Sequence, residues 1–316
     1  MKEKIAIIDL GTNTFHLLIA YFSPETQEME VLQKKQIPVK LGQKVYQNKE
    51  ISEEALERAA KAFDSFKALV EAEHVSRIKI LGTSALRTAE NAQVVQLMVE
   101  KAFGVQLEII DGAREAQLIY KGVNRLMEFP SERPILIIDI GGGSVECIIA
   151  HEGKAVWYQS LDIGTAYMID QFPHHYPIEH EEFIDIYDYL QDKMQDVLIK
   201  AAEYKVKSMV GTSGSFETVV YNERHTIKSD FNGELPDHCE IQLKNFRLLY
   251  RQILGSDRKQ LSMIPGIPEF RVEMIVVAMT IINLLIEQLQ ITQLHFCNEA
   301  LKEGAVVDAF KQPQSG

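Results

Sequence analysis

Apolar positions in this chain come in short runs that end in the same kind of polar turn, and the runs repeat. Ile5-Ala6-Ile7-Ile8 passes into Asp9-Leu10-Gly11, turns at Thr12-Asn13-Thr14 and leaves on Phe15-His16-Leu17-Leu18-Ile19-Ala20. A β-rich run, a glycine turn and a second apolar run predict two strands joined by a tight turn. Shifted by 130 positions, Ile135-Leu136-Ile137-Ile138-Asp139-Ile140-Gly141-Gly142-Gly143-Ser144 leads into Val145-Glu146-Cys147-Ile148-Ile149-Ala150, and seven of the sixteen pairs are identical. Leu81-Gly82-Thr83-Ser84 meets Val210-Gly211-Thr212-Ser213 at a shift of 129. Two matches at nearly one offset mark a duplicated unit.

Each half continues on one plan. Third strands are expected at Glu30–Val39 and Ala155–Ile163. A long amphipathic helix follows. In the first half Ser52 caps it, Glu53 and Glu54 suit the dipole of its first turn, and Leu56, Ala59, Ala60, Phe63, Phe66 and Val70 share a face. In the second half the helix spans about Glu181 to Tyr204. Strands ending in Gly-Thr-Ser are expected at Ile78–Ser84 and Val206–Ser213. Helices at about Leu243–Leu254 and Pro268–Leu289, a strand at Gln293–Cys297 and a last helix from about Ala300 close the chain. Alternating strands and helices predict α/β architecture. The breaker-rich segment Glu128–Pro134 reads as a linker, which sets domains at 1–127 and 128–299, with the last helix (about 300–316) returning to the first. Asn222–Glu240 reads as a long loop.

Composition narrows the class. The chain has 316 residues, 46% of them hydrophobic, and a formal charge of −12; this suits a two-domain globular protein and excludes disorder. An acidic chain is not expected to coat DNA. Met1–Lys4 leads into a run broken by Asp9, which is no signal peptide, and the uncharged stretch Met274–Ile286 is too short to span a bilayer. Cys147, Cys239 and Cys297 are too few and too scattered for a disulfide framework, and they read as small buried hydrophobes in a reducing cytoplasm.

The glycine turns carry the candidate chemistry. Without a Cβ, a turn brings backbone N–H groups close to an anion. Thr12, Asn13 and Thr14, or Gly142, Gly143 and Ser144, would add donors, and an Asp at the end of the preceding strand can hold Mg²⁺ beside phosphates. One isolated Asp-x-Gly reads better as a hairpin whose Asp bonds its own turn. The duplication, with three consecutive glycines in one copy, favours a paired phosphate clasp. Gly-Thr-Ser at two further strand ends adds donors at the rim where open α/β sheets take ligands. Glu146 interrupts an apolar strand, where a charge is costly unless partnered. His16 reads as a satisfied half-buried histidine, and His174, His175 and His180, set among acids, read as a solvated helix start and not a zinc site.

At these residues the sequence resembles the exopolyphosphatase/guanosine pentaphosphate phosphohydrolase family. IDLGTNTFHLLIA, LGTSALRTAENA, IIDGAREAQLIYKGV, IDIGGGSVE, VGTSGSFETV and CNEALKEG carry the resemblance in family order over essentially the whole chain. It implies the short two-domain form: two duplicated ribonuclease-H-like domains of the actin, sugar-kinase and chaperone ATPase superfamily, with an interdomain cleft. It implies Glu115 as the catalytic base, Arg87 as the grip on the terminal phosphate, and Asp139 and Glu146 as the residues that serve Mg²⁺. Asp9, Gly11, Thr12 and Asn13 of the first turn, Gly141, Gly142, Gly143 and Ser144 of the second, and Thr212, Ser213, Gly214 and Ser215 after the later strand are the implied phosphate binders. Arg271 also matches a family arginine, although salt-bridging beside a helix N-terminus is the plainer reading.

The sequence departs from the family pattern at Val145 in place of Thr, Arg114 in place of the first acid before Glu115, Tyr167 in place of Arg, and Lys302 in place of Arg. The implied activity is Mg²⁺-dependent release of the terminal orthophosphate of polyphosphate and/or guanosine pentaphosphate by a cytoplasmic enzyme, with a homodimer as the implied assembly. The alternatives are an acceptor-dependent kinase of the same superfamily and a non-catalytic alarmone-binding sensor. Without the resemblance, Glu115 would read as an ordinary solvated Glu in a helix's first turn.

Overall fold

The computed structural model describes residues 3–23, 25–26, 28–75, 77–127, 132–227 and 231–311. The chain divides into two compact units: 1–125 with 301–316, and 126–300.

In the first unit, strands β1 (Glu3–Leu10), β2 (Thr14–Phe22) and β3 (Met29–Pro38) form an antiparallel meander. Helices α1 (Val45–Asn48) and α2 (Glu53–Ala72) follow, then β4 (Arg77–Gly82), α3 (Ser84–Thr88), α4 (Ala92–Phe103), β5 (Leu107–Ile109) and α5 (Gly112–Leu126). The sheet order is β3-β2-β1-β4-β5, with β4 and β5 parallel to β1. Ser52 caps α2 as expected, its hydroxyl accepting from Ala55 N at 3.3 Å. Helix α13 (Leu301–Lys311) packs on β1 and β2 of this sheet.

The second unit repeats the plan. Its meander is β6 (Ile135–Ile140), β7 (Val145–His151) and β8 (Lys154–Leu161). Helices α6 (Thr165–Gln171), α7 (His180–Lys193) and α8 (Gln195–Glu203) lead to β9 (Ser208–Thr212) and α9 (Ser213–Ile227). Then come β10 (His238–Ile241), α10 (Leu243–Leu254), α11 (Arg258–Met263), a 3₁₀ turn at Glu269–Arg271, α12 (Ile275–Leu289) and β11 (Gln293–Cys297). The order β10-β11-β9-β6-β7-β8 is that of the first sheet with one added edge strand. Three antiparallel strands followed by parallel ones, twice over, make two ribonuclease-H-like domains. Helix α12 is apolar nearly all round, as a helix enclosed by others must be; it packs against α6, α7, α8, α9 and α10. Among the described residues no helix is long and apolar enough to cross a membrane.

Several expected elements differ. The helix anticipated at 181–204 is two segments meeting at Met194, whose φ of −92° and ψ of 5° break the regular backbone. The ladder bridges the break, with Met194 N donating to Leu190 O and Leu198 N to Met194 O, so the apolar period continues and hides it. The helix anticipated at 268–289 begins only at Ile275, because Arg271 N donates to Pro268 O in a tighter turn. The loop anticipated at 222–240 is shorter at both ends: α9 reaches Ile227, and β10 forms where His238–Ile241 finds an antiparallel partner in β11. Residues 228–230 of that loop, and 128–131 of the anticipated linker, lie outside the described residues. Cys239 is half-buried where full burial was expected, while Cys147 and Cys297 are buried.

Candidate functional site

The first unit brings together Arg87 and Glu115. Helix α3 starts directly after β4 and presents Arg87, whose Nη1 donates to Glu115 Oε2 at 2.7 Å and to Ile110 O at 2.9 Å. Glu115 lies in the first turn of α5, where the Asp111 side chain accepts from Arg114 N at 2.7 Å and so secures the helix start. Its residue exposure is 7%, so it is not a solvated helix-start acid. A buried carboxylate is tolerable only with a partner of opposite charge, and Arg87 supplies one.

The β1–β2 turn is tied to the helix that carries Arg87. Thr12 is buried, its hydroxyl 3.3 Å from Tyr46 Oη, which is 3.1 Å from Ser84 Oγ on α3. Asn13 O accepts from Val39 N and Lys40 N, and Thr12 O from Gly42 N. Asp9 lies one residue before the end of β1, across from His16 of β2 and Leu81 of β4. Lys34 and Lys35 of β3 are engaged structurally, Lys34 with Glu303 and Lys35 with Ser65.

The second unit builds its turn the same way. Gly143 O accepts from Gly164 N, Gly141 O from Thr165 N, and Gly142 O from Ala166 N and Tyr167 N. In both units, then, the turn's carbonyls are bonded by the segment that follows the third strand, and each segment carries a glycine (Gly42, Gly164) at the contact. A Cβ on Gly11 would stand 2.8 Å from Thr14 O, and one on Gly141 3.0 Å from Ser144 O. Gly11 therefore requires glycine, because the opposing atom is backbone and cannot rotate away, and Gly141 leaves a Cβ very little room for the same reason.

Register sets the polar residues of this unit in one row. Asp139 pairs with Glu146 across β6–β7 and with Thr212 across β6–β9. Residues directly opposite share a sheet face. Glu146 pairs in turn with Ser160 of β8, whose hydroxyl donates to Glu146 Oε1 at 2.7 Å. Asp139, Glu146 and Ser144 are buried, and Thr212 is 0% exposed with no hydrogen-bond partner for its hydroxyl among the described residues. The first unit's counterpart row is Asp9, His16 and Gln36, but no threonine joins it, because its parallel pair is slid by two residues. There Gly82 aligns with Leu10, whereas Gly211 aligns with Ile138. A two-residue slide keeps every side chain on its own face, but it carries Thr212 down beside Asp139 and leaves Leu81 at the corresponding place.

Ser213, Gly214 and Ser215 open α9, with Ser213 in the left-handed region at φ 65°. A serine there is strained, as residues around functional turns often are. Arg271 is spent on this turn, donating to Gly214 O at 2.7 Å and to Glu217 Oε2 at 3.1 Å. The plainer reading of Arg271 thus holds.

Among the described residues no group of three or more His, Cys, Asp or Glu side chains could hold a metal ion. Two carboxylates beside a hydroxyl do suit Mg²⁺, which is commonly bound through one or two carboxylates together with waters and substrate phosphates. Tyr46, Gly42, Gly164 and Ser160 escaped the sequence reading. The glycines had a weak signal, since Leu41-Gly42 and Ile163-Gly164 follow the third strand of each half, at a shift of 122 where the other matches stand at 130 and 129; Tyr46 and Ser160 had none.

Residues 21–312 match the model of the Ppx/GppA phosphatase family. The chain is 28% identical over 305 residues to a guanosine-5'-triphosphate,3'-diphosphate pyrophosphatase of Pseudoalteromonas translucida, a match covering 96% of this chain and 59% of that protein. It therefore spans about three-fifths of that relative's length. The crystal structure of an exopolyphosphatase from Cytophaga hutchinsonii superposes with a TM-score of 0.91 at 30% identity, covering 97% of this chain and 98% of that one. A Ppx/GppA family member from Aquifex aeolicus, at 21% identity and a TM-score of 0.79, shares the fold over 98% of both chains.

Proposed function

The chain belongs to the Ppx/GppA phosphatase family, and from that premise we propose that it hydrolyses the terminal phosphoanhydride of inorganic polyphosphate or guanosine pentaphosphate and releases orthophosphate. The observation that carries the reading is the ion pair of Arg87 Nη1 and the buried Glu115 Oε2 at 2.7 Å, a cation and a base held together in the first unit.

Glu115 takes a proton from the attacking water as oxygen bonds to the terminal phosphorus. The bridging P–O bond breaks, and its electron pair leaves on the shortened chain. Phosphoryl transfer of this kind needs positioning and charge neutralisation more than covalent help. Arg87 presents a planar donor fork suited to phosphate oxygens. An incoming phosphate competes with Glu115 for that guanidinium, so substrate arrival loosens the ion pair and releases the carboxylate to work as a base. The amides of the two glycine turns, with Ser213, Gly214 and Ser215, are the proposed phosphate binders. Asp139 and Glu146, with Thr212 beside them, are the residues that would hold Mg²⁺, whose charge would neutralise the phosphates when bound.

The test is phosphate release from polyphosphates of graded length, guanosine pentaphosphate and ATP, with and without Mg²⁺ and with no acceptor present. Release from one of the first two, lost when Mg²⁺ is chelated, is the expected result. Release that waits for an added acceptor would identify a kinase. Tight binding of guanosine pentaphosphate without turnover would identify a sensor, and either outcome overturns the hydrolase reading.

A further inference from the structure

Asp308, on α13, is a carboxylate with 3% residue exposure that meets three cations. Arg114 Nη2 donates to its Oδ2, Lys121 Nζ donates to its Oδ1 at 2.5 Å, and Lys79 Nζ of β4 lies 3.8 Å away. Arg114 and Lys121 are two turns apart on α5, so one carboxylate spans the first half of that helix. Between them, Gly304 of α13 seats against the α5 backbone so closely that a Cβ would fall 1.7 Å from Leu118 O. Glu115 is the neighbour of Arg114 and lies on the turn that these contacts enclose.

We propose that Asp308 is a positioning residue, which through Arg114 and Lys121 sets the axial position and rotation of α5 and so the place of Glu115 against Arg87. This rests on the reading of Glu115 as the base. A buried carboxylate with partners from two elements has little freedom, because any shift weakens one ion pair as it relieves another. Neutralising it leaves Arg114 and Lys121 as like charges with their shared counter-charge gone. It also gives Arg114, which departs from the family pattern, a definite task on the α13 side of α5.

The experiment compares the full-length wild type, Asp308→Asn and Glu303→Gln by hydrogen exchange and steady-state kinetics. Glu303 is the control: it is another buried carboxylate on α13, paired with Lys34 of β3. Asp308→Asn should speed amide exchange across Arg114–Tyr120 by about tenfold, and lower kcat about ten- to a hundredfold with little change in KM. Asp308→Glu should recover part of both, and Glu303→Gln should leave exchange in α5 at the wild-type rate. Wild-type exchange across α5 in Asp308→Asn overturns the proposal, as does equal acceleration in Glu303→Gln. Should Asp308→Asn fail to fold, Arg114→Gln keeps the carboxylate and Lys121 and is read the same way. A wild type that releases no phosphate from any phosphoanhydride defeats the hydrolase reading, while the exchange pattern still decides the positioning claim.

Discussion

Glu115 and Arg87 sit 2.7 Å apart, the first buried and the second partly so, which makes each sensitive to loss of the other. Glu115→Gln keeps the shape and removes the base, so turnover should fall by about 10²–10⁴-fold while circular dichroism and ligand binding persist. Arg87→Lys replaces a planar fork by a point charge and should raise KM as well as lower kcat; unchanged kinetics would remove Arg87 from the phosphate site. Asp308 adds a dependence on pH. Burial alone would raise its pKa, but hydrogen bonds from Lys121 and Arg114 and their charges outweigh burial and hold it below the ordinary aspartate value of 3.8. A carboxyl depressed in the folded state contributes its full stability above the unfolded pKa, and loses it as pH falls through the folded pKa. Acid unfolding should therefore change between wild type and Asp308→Asn mainly below about pH 4, with the wild type's advantage constant above it. An advantage that grew from pH 5 to pH 8 would contradict the ion-pair account. Burial, together with the neighbouring Glu146 charge, pushes the Cys147 thiol up, consistent with a packing role for that residue.

At the scale of elements, the decisive contacts are close approaches between backbones. Helix α13 reaches α5 at Gly304, is held by a hydrogen bond from Arg77 to Ala309 O, and packs Phe310 against Phe22 with ring centroids 5.2 Å apart and the planes tilted by 35°. Gly304→Ala must push the two helices apart, because the opposing atom is the Leu118 carbonyl. Overpacking of this kind costs about 1–3 kcal/mol, and thermal melting should show it as a clear drop in Tm. A melting curve identical to wild type would mean that α13 sits farther from α5 than described. The strands β1, β2, β6 and β7 were readable because each is an apolar run bounded by a polar turn, whereas the short strands β5 and β10 carry no such run. The helices around Met194 and Arg271 were less readable. Their apolar period continues through a break at Met194, and before α12 a tighter turn closed by Arg271 N on Pro268 O carries apolar residues of its own.

Taken whole, the molecule is acidic, with a formal charge of −12, and its proposed substrates are polyanions. Like charges slow encounter, and salt screens them over about 10 Å at 0.1 M. For long polyphosphate, kcat/KM should rise as salt increases from about 0.01 to 0.15 M, and the gain should be smaller for guanosine pentaphosphate, which carries less charge. A steep fall with salt would instead point to a local basic track for the chain. The two units also differ in register despite their common plan. Equivalent strands, slid by two residues in one copy, set Thr212 beside Asp139, whereas Asp9 at the same place in the first unit faces Leu81.

The sequence by itself determined the duplication, the α/β plan, the twin glycine turns and the strands that end in Gly-Thr-Ser. These depend on local causes: apolar runs that must be buried, and turns where a Cβ would strike backbone. It also singled out Glu146, because a charge inside an apolar strand needs a reason. Glu115 lacked such a local signal, since an acid in a helix's first turn is ordinary, and only a family resemblance picked it out. The tertiary structure alone decided that Glu115 is buried against Arg87, that Tyr46 ties Thr12 to Ser84, and that α13, whose return to the first unit was anticipated, holds α5 through Asp308. Each of these joins residues far apart in the chain, and the two-residue slide leaves no trace in hydrophobic alternation, because a shift of two preserves it.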